Sequence, residues 1–118
     1  MLLSHLALTV RDSERSCRFY LDTLGLDGTA IREKWGYRLR MSDGVMFALL
    51  DGEPPPPELL ARIHFGCALP DPEAVHAARE RLANEGVREV EWWDEPGYTS
   101  VKVADPDGYV VELSFETD

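Results

Sequence analysis

The chain has 118 residues, 44% of them hydrophobic and 29% charged, an ordinary globular mixture for one domain rather than a disordered one. Its formal net charge of -10 argues against nucleic acid and anionic membrane surfaces as partners, because both require clustered lysine and arginine. No apolar run approaches the roughly 20 residues of a bilayer span, and strand-like pattern begins at residue 2, so a cytoplasmic location is expected. Cys17 and Cys67 lack CxxC spacing and read as two reduced, buried thiols.

Residues 2–10 alternate as a half-buried strand, with Leu6, Leu8 and Val10 on one face and His5, Ala7 and Thr9 on the other. Asp12 or Ser13 can cap the next helix, in which Cys17, Tyr20, Leu21 and Leu24 recur at helical spacing before Gly25 stops it. Residues 28–35, 36–41 and 45–50 read as strands, the last two joined by the turn Ser42-Asp43-Gly44. Four prolines in residues 51–58 lock φ and remove donors, which predicts a semi-rigid extended connector.

The second half repeats the first. A strand over 61–69 leads to Asp71-Pro72, a cap followed by proline at the first helical position. Val75, Ala78 and Leu82 form the buried stripe of that helix, and Gly86 ends it. Strands near 88–93, 98–103 and 109–115 follow, the last two separated by the turn Asp105-Pro106-Asp107-Gly108. The order strand–helix–three strands therefore occurs twice, as module one (1–51) and module two (61–118) joined by a connector (52–60).

Superposing the halves puts His5 on His64, and aligning the Asp-Gly turns puts Ala48 on Glu112. By alternation His5 shares its face with Ala7 and Thr9, His64 with Gly66 and Ala68, and Glu112 with Ser114. Small neighbours around a polar side chain leave space rather than fill a core, which is how a ligand pocket reads in sequence. Taken singly, a strand histidine is more often structural and such a glutamate solvated; the internal symmetry raises the joint case. Two imidazoles and a carboxylate then suit a metal site with open coordination positions.

The segments SHLALTVRD, FYLDTLGL, IHFGCALPDPEAVHAARERLANEGV and ADPDGYVVELSF resemble the vicinal oxygen chelate superfamily of glyoxalases, bleomycin resistance proteins and extradiol dioxygenases. The resemblance implies an α+β fold, in which two βαβββ modules form a cupped, eight-stranded half-barrel as a single domain. It also implies metal ligands at His5, His64 and Glu112, with Ala48 at a fourth position that cannot bind metal. That departure from the four-ligand pattern of glyoxalase I and methylmalonyl-CoA epimerase argues against either activity, and it removes the isomerase branch's general base. The three ligands left are similar to those of extradiol dioxygenases and fosfomycin-modifying thiol transferases. A divalent ion (iron, manganese, zinc, nickel or magnesium) is the implied cofactor, and a homodimer the implied assembly.

Two functions follow as expectations. The first is a metal-dependent enzyme, dioxygenase-, lyase- or transferase-like, acting on a small oxygenated substrate. The second is a non-catalytic drug- or metabolite-binding protein; retention of all three ligands favours the enzyme. The pocket is expected to include Thr9, Ala48, Trp92, Trp93, Tyr98, Arg40 and Lys102. Either tryptophan can serve as core or as a stacking platform, the former preferred. Arg38, Arg40 and Lys102 can hold an anionic group or form ordinary surface pairs, the latter preferred. His76 reads as exposed.

Overall fold

The structure, a computed structural model, describes residues 1–117. The described chain forms two compact units, Met1–Pro55 and Pro56–Asp118. Each unit carries one four-stranded sheet, so the strands and helices make the expected α+β fold. Among the described residues no helix is long and apolar enough to cross a membrane.

Unit one runs β1 (His5–Val10), α1 (Ser13–Arg18), a π-helical turn (Phe19–Thr23), β2 (Gly28–Glu33), β3 (Gly36–Met41) and β4 (Met46–Asp51). The sheet order is β1-β4-β3-β2, with β1 parallel to β4 and the other pairs antiparallel. The Asp12 carboxylate caps α1 by accepting from the Arg15 N–H at 3.1 Å. Gly25, at φ 90°, stops the helical segment.

The predicted stripe of this helix changes at its end. The Leu24 N–H bonds to the Phe19 carbonyl at 2.7 Å, a five-residue step. The extra residue in the turn buries Phe19, Tyr20 and Leu24 together and leaves Leu21 only half-buried. Tyr20 meets Phe19 and Phe47 edge-on, and Leu8, Val10, Leu39 and Leu49 complete the core. Each such large apolar side chain contributes roughly 1.5–3 kcal/mol on burial. Alternation leaves His5, Ala7, Arg38, Arg40, Met46 and Ala48 on the opposite face of the sheet.

The connector departs from the expected extended form. Residues Pro57–Leu60 wind into one helical turn, α2, with Pro57 at its first position. Leu60 drives this by burying its side chain, 3% exposed, against Gly108. The strand expected over 61–69 is correspondingly shorter.

Unit two runs α2, β5 (His64–Ala68), α3 (Pro72–Asn84), β6 (Glu89–Glu95), β7 (Tyr98–Ala104) and β8 (Val110–Glu116). Its sheet order, β5-β8-β7-β6, repeats that of unit one. The Asp71 carboxylate caps α3 through the Ala74 N–H at 2.8 Å. Val75 and Leu82 of α3 pack with Val101, Val103, Val111 and Leu113 as the core. Both cysteines are free; Cys17 is buried as expected, but Cys67 is only half-buried.

The two ladders share one register. In unit one Ala48 lies between Ala7 and Arg38; in unit two Glu112 lies between Gly66 and Lys102. Ala48 and Glu112 are therefore equivalent positions, as are Arg38 and Lys102.

Candidate metal centre

Glu112 sits mid-strand in β8 and turns away from the core that Val111 and Leu113 fill. Its carboxylate is part-buried and its two oxygens have different work. Oε2 accepts from the Tyr98 hydroxyl at 2.6 Å and from the Ser100 hydroxyl at 2.8 Å. Oε1 faces His64 Nε2 at 3.7 Å, beyond hydrogen-bond distance. Tyr98, Ser100 and Lys102 reach this side because β7 presents every second residue to it.

The charge of Glu112 is secured by these neighbours. Burial alone would raise its carboxyl. The hydrogen bonds from Tyr98 and Ser100, with the charges of Lys102 and His64, outweigh that and hold it below the usual glutamate range. Tyr98 is correspondingly harder to ionise, because its proton is held against Glu112. The site thus presents an ionised carboxylate with one oxygen tied and the other turned to an imidazole.

This donor set fits half of a metal centre. Two ligand atoms each about 2.1 Å from one ion stand roughly 3–3.5 Å apart, close to the His64–Glu112 gap. Hydroxyls holding the far carboxylate oxygen are the outer contacts that orient such ligands. His5 belongs to unit one, where it is exposed and its Nδ1 shares a 2.9 Å hydrogen bond with the Ser4 hydroxyl. That bond engages Nδ1 and not Nε2. Among the described residues no three His, Cys, Asp or Glu side chains form a group able to hold a metal ion.

The other expected pocket residues divide. Thr9 and Ala48 lie on the His5 face of the first sheet, Thr9 half-buried beside Gly52 and Ala48 buried. Arg40 lines a hollow of about 560 Å³ with His5, Arg38, Ser4 and Ser42. Lys102 already pairs with Glu91 at 3.2 Å, so its charge is largely answered within the protein.

Trp92 requires a correction. It pairs with Val101 on the helix side of the sheet, opposite Glu112, where Arg79 stacks on its ring at 4.1 Å. His76 is exposed as expected, and its ring contacts that of Trp92 edge-on and meets Asp94 at 3.1 Å. A bulge between Glu89 and Glu91 sets this parity, directing Trp93 to the Ser100 and Glu112 side, where it is 49% exposed. The larger hollow, about 720 Å³ and lined by α3 and Glu89, lies on the Trp92 side, away from Glu112.

Ser100 and Ser4 are the residues that sequence reasoning missed. Ser100 had a readable signal, since it alternates with Tyr98 and Lys102 along β7. Ser4 precedes β1 and had none.

Two sheets of matching strand order, each built from one strand, a helix and three further strands, are the architecture of the glyoxalase-like class. The sequence matches the Glyoxalase/Bleomycin resistance protein/Dioxygenase superfamily over residues 2–113, and the chain belongs to it. No curated protein sequence matches the chain. Among solved structures it is similar to a glyoxalase/dioxygenase from Nostoc punctiforme, at 21% identity and TM-score 0.80, covering 99% of this chain and 92% of that one. It is also similar to lactoylglutathione lyase from Agrobacterium tumefaciens, at 22% identity, TM-score 0.74 and coverage of 96% and 92%. TnmS3, an antibiotic binding protein from Streptomyces sp. CB03234, matches at 23% identity and TM-score 0.75, over 99% of this chain and 97% of that one. These likenesses establish the fold and leave the reaction to the site.

Proposed function

We propose that the chain is a metal-dependent vicinal oxygen chelate enzyme, dioxygenase-, lyase- or transferase-like, acting on a small oxygenated substrate. His5, His64 and Glu112 are its three ligands for a divalent ion, and the two modules work as one domain. The observation that carries this reading is the asymmetric Glu112 carboxylate, with Oε2 tied by Tyr98 and Ser100 and Oε1 turned to His64. A divalent ion would supply Lewis acidity toward adjacent substrate oxygens and stabilise developing oxyanion charge. Tyr98 and Ser100 orient the carboxylate, and small neighbours such as Ala48 and Gly66 leave room for a bound molecule.

His5 joins the set from the same chain or from a partner chain in a homodimer. The free thiols support a reducing, cytoplasmic setting. The experiment is metal analysis of protein purified without chelator, beside His64→Ala. Near-stoichiometric metal that drops in the variant is expected. Sub-stoichiometric metal that ignores the substitution would sink the reading.

One observation favours a second function, non-catalytic capture of a drug or metabolite. Trp93 is half-exposed on the Glu112 side and offers a stacking surface. Isothermal titration with a cationic glycopeptide drug separates the two, since tight binding without metal would support capture.

A further inference from the structure

The internal symmetry that pairs Ala48 with Glu112 also pairs Arg38 with Lys102, and the two cations are treated differently. Lys102 lies between Glu112 on β8 and Glu91 on β6, and the Glu91 carboxylate accepts from it at 3.2 Å. Arg38 occupies the same place in unit one, between Ala48 on β4 and Ile31 on β2. Both carboxylates that flank the lysine are thus replaced by apolar side chains around the arginine.

The consequence is an unmet donor. Arg38 reaches Glu33 through one terminal nitrogen at 3.1 Å, but its Nε is buried with no hydrogen-bond partner. A buried donor without an acceptor is costly, and a guanidinium is built to take planar anions. Arg38 lines the 560 Å³ hollow with His5, Arg40, Ser4 and Ser42. Arg40 makes no ion pair among the described residues, so Glu33 answers only one of the two positive charges. On a chain with net charge -10 this is a local reversal of sign.

We infer that the hollow is a carboxylate subsite, in which the Arg38 guanidinium, with Arg40 beside it, binds a carboxylate carried by the ligand. The ligand's anion takes the place that a protein carboxylate fills in the second module. The inference rests on the reading of this face as ligand-binding, and narrows the substrate class to small oxygenated carboxylic acids. His5 lines the same hollow, so the carboxylate lies next to a proposed metal ligand.

The test uses metal-free protein and a matched pair of probes, benzoate and benzamide, followed through the Arg38 Nε–H resonance. Benzoate is expected to shift that resonance saturably, and benzamide is not. Arg38→Gln should weaken benzoate binding at least tenfold. Ala48→Glu should do the same by restoring the module-two pattern and neutralising Arg38 from within. Should Ala48→Glu fail to fold, Arg38→Gln alone decides. Equal response to both probes, or benzoate binding that survives Arg38→Gln, would overturn the subsite. Because no metal is present, a persistent benzoate response in protein that also fails the metal analysis upholds the subsite and sinks only the metal reading. Stoichiometric metal with an Arg38 blind to benzoate does the reverse.

Discussion

The Tyr98 hydroxyl donates to Glu112 Oε2 at 2.6 Å across the β7–β8 ladder, fixing which carboxylate oxygen faces His64. Tyr98→Phe removes that donor while keeping the ring. A hydrogen bond to a charged group contributes about 1.5–3 kcal/mol, and partial exposure of the site places the loss at the lower end. The Glu112 pKa should rise, read from its carboxyl carbon resonance in metal-free protein. Divalent metal affinity should fall about 10–100-fold, as when outer contacts of a ligand are removed. Ser100→Ala should act in the same direction, and the double substitution should fall short of the sum because both donors share one oxygen.

Acid stability follows from the same carboxylate. Glu112 is held below its ordinary value in the folded chain, so the unfolded chain binds more protons near the ordinary glutamate value of about 4.3. Its contribution is therefore present above that value and is lost as pH falls through the lower folded one. Glu89, held down by its hydrogen bond to Arg79, adds to the same limb. Urea midpoints measured across this range should fall with pH in the native chain and fall less steeply in Tyr98→Phe. An unchanged slope in the variant would remove Glu112 from this account.

Gly36 is required by a close backbone approach. At φ 146° a side chain is strained, and a Cβ there would meet the Leu49 carbonyl oxygen, backbone that cannot swing aside. Gly36→Ala should cost more than about 2 kcal/mol in chemical denaturation, because the start of β3 must separate from β4. Gly44→Ala is the comparison. Its φ is also positive, but its Cβ meets nothing, so only the conformational part of the loss, roughly 1 kcal/mol, is expected.

Asp105 organises the turn that delivers β8. Its Oδ1 accepts from the N–H groups of Asp107, Gly108 and Tyr109, each at 2.9 Å. Asp105→Ala leaves these donors without that acceptor, a loss of about 2–4 kcal/mol. Asp105→Asn keeps an acceptor oxygen and should recover much of it. Thermal melts of the pair provide the check, and equal melting of the two would show that the turn does not depend on this oxygen.

Much of the fold was legible from local signals. The alternation LSHLALTV, the caps at Asp12 and Asp71, and the stops at Gly25 and Gly86 each act within a few residues. The repeat even made Ala48 and Glu112 equivalent before any pairing was known, because the Asp-Gly turns count residues from a common origin. The π-helical turn at Phe19–Thr23 was not legible. It follows from fitting Phe19, Tyr20 and Leu24 against one sheet, a constraint that helical spacing alone does not contain. The split of Trp92 from Trp93 had the same character. Adjacent strand residues must face opposite ways, but the bulge on β6 decided which one went where.

The sequence by itself determined the two βαβββ modules, the matched histidines and the equivalence of Ala48 with Glu112. All three depend on residue type and spacing, which are local properties. Only the tertiary structure decided that Glu112 keeps one oxygen for His64 while Tyr98 and Ser100 hold the other. It alone decided that Lys102 is answered by Glu91 while Arg38 keeps a buried donor unmet. These outcomes depend on which side chains the interstrand hydrogen bonds bring side by side, and that register is set between segments far apart in the chain.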